Sequence, residues 1–553
     1  WSQKVESEYN VKEKIYGVRE IAKVESFKAV DDVLLEEIEA RVTARGVKGI
    51  LENTEFIENI AKVRENKVWT REGKIKEWRV LRKAADVLKG IEDSLAKLTR
   101  GKVSFTEAYF NQWWRLDQIY RELASLEKEV RYSIRSAFIE PVAQRYQIWL
   151  EKANNAFTQE VTRLGKWPLP GILPQTSFWK EFVKPHRKLC IFFLDALRFE
   201  LQKRLFKMLK KKGHKVKHTT MLSSLPSITE VCMTSLLPHD GEMQLESSDE
   251  ELIVVLNGEK IKSKEDRKDL LKKIYKDEIT FLELDRMKSD PQSLMKEVEG
   301  ARILVVMDRE IDKAGTFISG DLLDYLDTLV KKVVIGVEKA ALLGYPKTVI
   351  ATDHGFLIIP EPDKVETVKG FSGKGLAVSR RYAVGRPPKV EGCFTLPLRN
   401  IGYESDGEIL FPQGISYLPK RGAKEIYIHG GVSLQECCIG VLEVEPKGLG
   451  ERVDVKAEVS EPITTRIFRV KLVPLPTRLF PIPRKVKLEL WSKGELIGEQ
   501  KEIELSREPK ELWLRLGKKI PKRVEMRVRD ADTQEVIYTK SISVALEGYD
   551  ELI

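Results

Sequence analysis

The sequence predicts a multidomain chain: an N-terminal all-α part, a central α/β part on a mostly parallel sheet, and a C-terminal all-β part of immunoglobulin-like sandwich type. Three observations predict it. At 553 residues the chain exceeds what one hydrophobic core serves. Its hydrophobic period changes twice, from helical spacing, to short apolar runs alternating with amphipathic ones, to strict alternation. A proline-rich stretch, Trp167 to Pro174, separates the first two zones. The divisions expected are a helical domain over 1–165, a linker over 166–185, an α/β domain over 186–448 and a β-sandwich over 449–553.

The helical part is read from spacing such as Val80 to Leu98 and Tyr109 to Leu126, dense Lys, Arg and Glu, and no proline before Pro141. Phe110, Trp113, Trp114 and Tyr120 sit among Arg115 and Arg121; aromatics at this spacing are assigned to packing rather than to base stacking. In the central part the apolar runs are Leu189 to Leu194, Ile303 to Met307, Thr348 to Ala351 and Ile426 to Ile428, expected as strands between helices. After residue 450 the segments Arg466 to Val473, Lys485 to Trp491, Glu511 to Leu516, Arg523 to Val528 and Val536 to Val544 alternate at period two, which predicts the sandwich and an interaction or docking role.

Composition excludes several classes. A hydrophobic fraction of 42% with 24 prolines and 35 glycines is globular, not disordered or fibrous. Lys and Arg outnumber Asp and Glu by 95 to 85, a net +10 that leans weakly toward anionic partners such as phosphates or nucleic acid. The 33% charged residues, with both signs interleaved, suit a thermophilic source. Five cysteines form no CxxC pair and no spaced framework, which argues against a thiolate zinc site or a disulfide scaffold and for a reducing, cytoplasmic compartment. No apolar run is long enough to span a bilayer. The chain begins at Trp1 rather than Met, which predicts a fragment of a longer protein.

The informative pattern lies in the residues that end the central apolar runs. Leu189 to Leu194 stops at Asp195, Ile303 to Met307 at Asp308 with Asp312 beyond, Thr348 to Thr352 at Asp353 and His354, and Ile426 to Ile428 at His429. Ligands bind outside the carboxyl ends of parallel strands, so these side chains should converge on one rim. Several carboxylates together repel unless a cation neutralises them, and Asp oxygens with His nitrogens are a normal ligand set for zinc or manganese. An Asp after a buried strand is otherwise a common helix cap, but four runs ending alike is a stronger signal than any one. Of six histidines, two stand beside glycine at these ends; His186, His214, His218 and His239 are read as solvent-facing or structural. Between the first two runs, Leu225-Pro226-Ser227-Ile228-Thr229 opens a helix. Thr229 in its first turn, or Ser227, is either a cap or a nucleophile favoured by the helix dipole.

Five segments occur in an order that resembles the alkaline phosphatase superfamily: Leu194-Asp195-Ala196-Leu197-Arg198, Leu225-Pro226-Ser227-Ile228-Thr229, Ile311-Asp312-Lys313-Ala314-Gly315, Ala351-Thr352-Asp353-His354-Gly355, and His429 through Glu436. Within it the chain is similar to PglZ-domain proteins of BREX bacteriophage-defence systems, over about residues 186 to 445. The resemblance implies an alkaline-phosphatase-like fold and two divalent metal ions, Zn²⁺ or else Mn²⁺. Asp195, Asp353 and His354 would hold one ion beside the nucleophile Thr229, itself a ligand, and Asp312 and His429 the other. The chain departs from the pattern at Thr316, where many members of the superfamily have His four residues after the third-motif Asp, so the second site is incomplete, recruits Asp308, or fills only with substrate. A sulfatase is excluded by the lack of a Cys/Ser-x-Pro-x-Arg segment near Thr229.

Arg198, Arg380 and Arg381 are expected to hold phosphate oxygens, with solvated surface arginines as the plainer reading of the last two. A threonine nucleophile and the basic balance point to a phosphodiester, in nucleic acid or a nucleotide, hydrolysed within a complex of other BREX proteins and away from membranes. The competing expectation is a catalytically weak scaffold that holds partner proteins through its helical and β parts.

Overall fold

The computed structural model describes residues 2–546, apart from 16–17, 102–103, 240–242, 249–250, 309–320, 448–452, 476–482, 507, 518–520 and 532–533. Up to residue 164 the chain is helical. Its long members are α1 (Ile75–Thr99), α2 (Trp114–Ser125) and α3 (Glu140–Leu164). Each places an apolar stripe inward, and Trp78, Trp113, Trp114, Tyr120 and Trp149 are all buried, as packing aromatics should be. Gly165, in the left-handed region at φ 62°, ends α3.

The centre is a seven-stranded sheet. In chain order its strands are β1 (Leu173–Pro174), β2 (Leu189–Leu194), β3 (Lys215–Leu222), β4 (Ile279–Glu283), β5 (Ile303–Asp308), β6 (Thr348–Thr352) and β7 (Cys438–Glu445), arranged β1-β3-β7-β6-β2-β5-β4. The neighbours are parallel except at β7, which runs antiparallel to both β3 and β6. Strands β2, β5 and β6 are buried at every position, which is why they read as unbroken apolar runs. Helix α4 (Phe199–Lys211) follows β2, and a short helix α5 (Thr229–Ser235) follows β3. The stretch expected as a linker supplies β1, which lies parallel to β3.

One expected strand lies elsewhere. Tyr427–Ile428 pairs antiparallel with Leu357–Ile358 in a separate two-stranded ribbon, not in the main sheet. Two residues of extended chain leave too little pairing for a sheet strand, so the apolar run was a misleading sign. The ribbon nevertheless delivers His429 to the mouth of the sheet, because Leu357 and Ile358 lie directly after the β6 motif.

From Asp454 the chain is β-rich. One antiparallel sheet joins Asp454–Val459, Ile467–Leu475 and Lys510–Arg515; a second joins Arg484–Ser492, Glu495–Leu496, Lys501–Leu505, Arg523–Asp530 and Val536–Ser543. Alternate residues of both sheets, including Val470, Leu472, Leu488, Leu490 and Met526, share one apolar core. No helix of the described residues is long and apolar enough to cross a membrane.

Candidate metal centre

At the end of β2, Asp195 is tied to its neighbour by a hydrogen bond from its N–H to the carbonyl of Asp308, 3.1 Å, at the end of β5. The chain then turns through Ala196 at φ 55°, a left-handed conformation that costs an alanine about 1–2 kcal/mol. Two hydrogen bonds offset it: Ala196 N–H to Asp353 Oδ1 and Leu197 N–H to Thr352 Oγ1, both 2.8 Å. The turn thereby carries Asp195 onto the end of β6. Asp353 Oδ1 also accepts the N–H of His354 at 2.8 Å, whereas the fully buried Oδ2 receives no hydrogen bond from the described residues and lies 3.4 Å from His354 Nε2.

The two imidazoles are aimed alike. His354 Nδ1 is 2.9 Å from the carbonyl of Gly355, and His429 Nδ1 is 3.1 Å from that of Ser227. A carbonyl only accepts, so in the neutral rings Nδ1 carries the proton and Nε2 presents its lone pair, the tautomer a metal ligand needs. The rings stack at 4.2 Å with 15° between their planes. Gly355 is required where it stands, since a Cβ there would lie 2.1 Å from the Gln435 carbonyl oxygen.

Ligand atoms of Asp195, Asp353 and His354, all buried, lie within 4.8 Å of one another. Thr229, the first residue of α5, points its hydroxyl at the same place, with Oγ1 3.2 Å from Asp195 Oδ1 and 3.3 Å from His354 Nε2. The cluster is rich in buried acceptors and includes a carboxylate oxygen without a donor, a chemistry that fits a divalent cation. Ser227 is taken up otherwise: its hydroxyl donates to the Gly431 carbonyl at 2.8 Å and accepts from Gly430 N–H at 3.2 Å, bracing the loop of His429. Cys232 on α5 is no alternative nucleophile, because burial pushes its thiol far above the ordinary range. Asp308 ends β5 as a buried side chain, while Asp312 and Thr316 lie outside the described residues.

The three arginines expected at substrate are placed differently. Arg198 is fully buried, with Nη2 3.0 Å from Asp117 Oδ1 on α2 and 3.3 Å from the Tyr146 hydroxyl on α3. Desolvation lowers its pKa, but Asp117 together with Tyr146, Tyr109 and Glu200 outweighs that and the net shift is upward. Arg381 is also fully buried, bound to Glu436 at 2.9 Å and to the carbonyls of Gly414 and Ser416. Glu436 is held below the usual carboxylate range, since Arg381 and hydrogen bonds from Ser433 and Gly431 outweigh the desolvation that would raise it. Arg380 borders a cleft of about 490 Å³ beside His429, Ile228 and Tyr382, but its guanidinium is spent on the carbonyls of 420–423. A guanidinium leaves water only for fixed acceptors, and these were supplied by residues remote in sequence.

Two residues that sequence reasoning passed over, Asp117 and Asn154, stand behind the site. Asp117 accepts from the hydroxyls of Tyr109 and Tyr146 at 2.6 and 2.5 Å, from Arg198, and from Gln435 Nε2 at 3.3 Å. Gln435 Oε1 accepts in turn from Asn154 Nδ2 at 3.0 Å. The signal was present for Asp117: it falls with Trp113, Leu116, Tyr120 and Arg121 on the buried stripe of its helix, where an unpartnered carboxylate does not survive.

Residues 178–444 match the family model described as the BREX system PglZ alkaline phosphatase-like domain. The central part of the chain is a PglZ domain. Over 371 residues the chain is 24% identical to the alkaline phosphatase-like protein BrxZ of Escherichia coli O9:H4 (strain HS), covering 62% of this chain and 42% of that protein. Over 369 residues it is 23% identical to the alkaline phosphatase-like protein PglZ of Bacillus cereus (strain H3081.97), covering 61% and 41%. The chain thus spans about two fifths of the length of the curated relatives it matches. Among solved structures, murine ectonucleotide pyrophosphatase/phosphodiesterase 5 is 9% identical, with a TM-score of 0.30 over 46% of this chain and 88% of that one, too slight a likeness to bear on the site. All the residues of the cluster around Thr229 fall inside the PglZ domain, whereas Asp117 and Asn154 precede it.

Proposed function

We propose that the chain is a metal-dependent phosphodiesterase that works in a cytoplasmic BREX defence complex on nucleic acid or a nucleotide, with Thr229 as nucleophile. The observation that carries this reading is the approach of Thr229 Oγ1 to within 3.2 Å of Asp195 and 3.3 Å of His354, beside the donor-free Oδ2 of Asp353. Asp195, Asp353 and His354 would hold one divalent ion, Zn²⁺ or Mn²⁺, and His429 with Asp312 a second. Such ions supply Lewis acidity, lowering the pKa of a bound hydroxyl and neutralising phosphate charge. The chain's own residues do the rest. Thr229 attacks phosphorus in line as one ester P–O bond breaks, the leaving oxygen departing with the bond electrons, and the Thr229 proton has an acceptor in the Asp195 carboxylate, 3.2 Å away. Helix α5 fixes the direction of attack, and the cleft beside His429 takes the rest of the ester.

The same reading divides the chain into a helical domain over 1–165, a connecting stretch over 166–185, the phosphatase-like domain over 186–448 and an immunoglobulin-like sandwich over 449–553 that docks partners. Metal analysis together with hydrolysis of a generic aryl phosphodiester tests it. Bound Zn²⁺ or Mn²⁺ with turnover lost in Thr229→Ala supports it; a metal-free, inert wild-type chain refutes it. A second reading, a scaffold without turnover, draws its support from Thr316, which stands where an imidazole is expected. Metal bound without cleavage of any phosphodiester is its signature.

A further inference from the structure

We infer that Asp117, in the helical part of the chain, is a positioning residue for the ligand-bearing turns of the PglZ domain, holding one through Arg198 and the other through Gln435. The inference rests on the metal reading above and gives the helical part a role in it.

Asp117 is fully buried and receives four donors: two tyrosine hydroxyls, Arg198 and Gln435. Two of these belong to its own helices. The other two lie outside them and lead to different ligands. Arg198 stands three residues after Asp195, at the end of a turn tight enough for its N–H to reach the Ala196 carbonyl at 2.9 Å. Whatever fixes Arg198 therefore fixes Asp195. The Gln435 carbonyl is in close contact with Gly355, whose N–H donates to the Glu436 carbonyl at 2.8 Å and whose own carbonyl accepts from His354 Nδ1. Whatever fixes Gln435 fixes the tautomer and direction of His354.

A second grip reinforces the first. Asn154 on α3 donates to Gln435 Oε1 and accepts from the Leu434 N–H at 2.9 Å, so the segment after His429 is clamped by side chains of two helices. Arg121, one turn beyond Asp117, binds Glu200 at 2.7 Å just past Arg198. Within the PglZ domain the second turn has one further charged anchor, the buried Glu436–Arg381 pair at 2.9 Å. The arrangement is that of partners behind metal ligands, whose loss typically weakens metal affinity by about 10–100-fold.

The test separates positioning from bulk stability. Asp117→Asn alone strands a buried guanidinium, so it is paired with Asp117→Asn/Arg198→Met, which removes both charges at similar volume. Thermal unfolding checks that the double variant folds, and calorimetric titration with Zn²⁺ reads the site. The expected result is a cooperatively folded double variant that binds Zn²⁺ at least about 10-fold more weakly than wild type. A folded double variant with wild-type affinity overturns the inference. In the wild-type chain, saturating Zn²⁺ should slow amide hydrogen exchange at 109–121 and 142–150 as well as at 195–200 and 353–356, because coupling between two sites is reciprocal. Protection confined to the ligand turns overturns the inference even if the variants do not fold. A wild-type chain that binds neither Zn²⁺ nor Mn²⁺ defeats the metal reading itself, a failure distinct from that of Asp117.

Discussion

Thr229 and Ser227 are two residues apart, yet their surroundings assign them opposite work. Among the described residues the Thr229 hydroxyl has hydrogen-bond partners only in Asp195 and His354, so Thr229→Ala should leave the fold intact while phosphodiester cleavage falls by several orders of magnitude. Steady-state kinetics with circular dichroism checks this; full activity in Thr229→Ala moves the nucleophile elsewhere. Ser227 spends its hydroxyl on Gly430 and Gly431, so Ser227→Ala should cost about 1–3 kcal/mol of stability by leaving buried groups unsatisfied. Arg381 is the third case. Its substitution by Ala uncovers the buried Glu436 carboxylate and should destabilise the protein by about 3–5 kcal/mol, far more than it alters KM. A rise in KM without a drop in unfolding temperature would restore Arg381 to the substrate.

At the scale of elements, strands β2, β5 and β6 and the residues that end them were legible because burial on both faces leaves an apolar run that a lone Asp must terminate. The antiparallel insertion of β7 was not, since its pairing with β3 and β6 depends on partners about 90 to 230 residues away, and strand direction leaves no local pattern. The burial of Arg198 and Arg381 was hidden for the same reason: each is neutralised by a carboxylate 55 to 81 residues distant. His218 shows what an element's interior does to a titratable group. On β3 it stacks on Phe199 of α4, and burial, with a smaller contribution from Lys203, lowers its pKa to about 3. The folded state therefore stays unprotonated while the unfolded chain binds a proton below its ordinary value near 6.5. Stability from this residue is fully present above about pH 6.5 and is lost as pH falls toward 3, by about 1.4 kcal/mol per pH unit. Unfolding temperatures followed from pH 7 to pH 5 should decline less steeply in His218→Phe than in wild type. Equal slopes would mean that His218 titrates normally in the folded chain.

For the whole molecule, the apolar interior decides which parts can stand alone. One continuous cluster of buried residues runs from the N-terminal helices through the central sheet, crossing between them at Phe110 and Tyr109 against Phe199 and at Phe157 against Trp167. The β-rich part has a cluster of its own, formed by residues such as Val470, Leu488, Leu514 and Met526. Charge follows the same division, because Arg198 and Glu200 of the PglZ domain are buried only in company with Asp117 and Arg121 of the helices. A chain ending at 447 should therefore remain soluble, unfold cooperatively and bind Zn²⁺ as the full chain does. A chain beginning at 166 should not, since removing the helices bares Phe199 and Trp167 and leaves Arg198 and Glu200 without their partners, a loss comparable with the roughly 5–15 kcal/mol by which domains are stable. Solubility, dye binding to exposed apolar surface and calorimetric unfolding of the two truncated chains read the difference. A chain from 166 that folds and binds Zn²⁺ like the intact protein would show that the helices merely cover the PglZ domain and do not complete it.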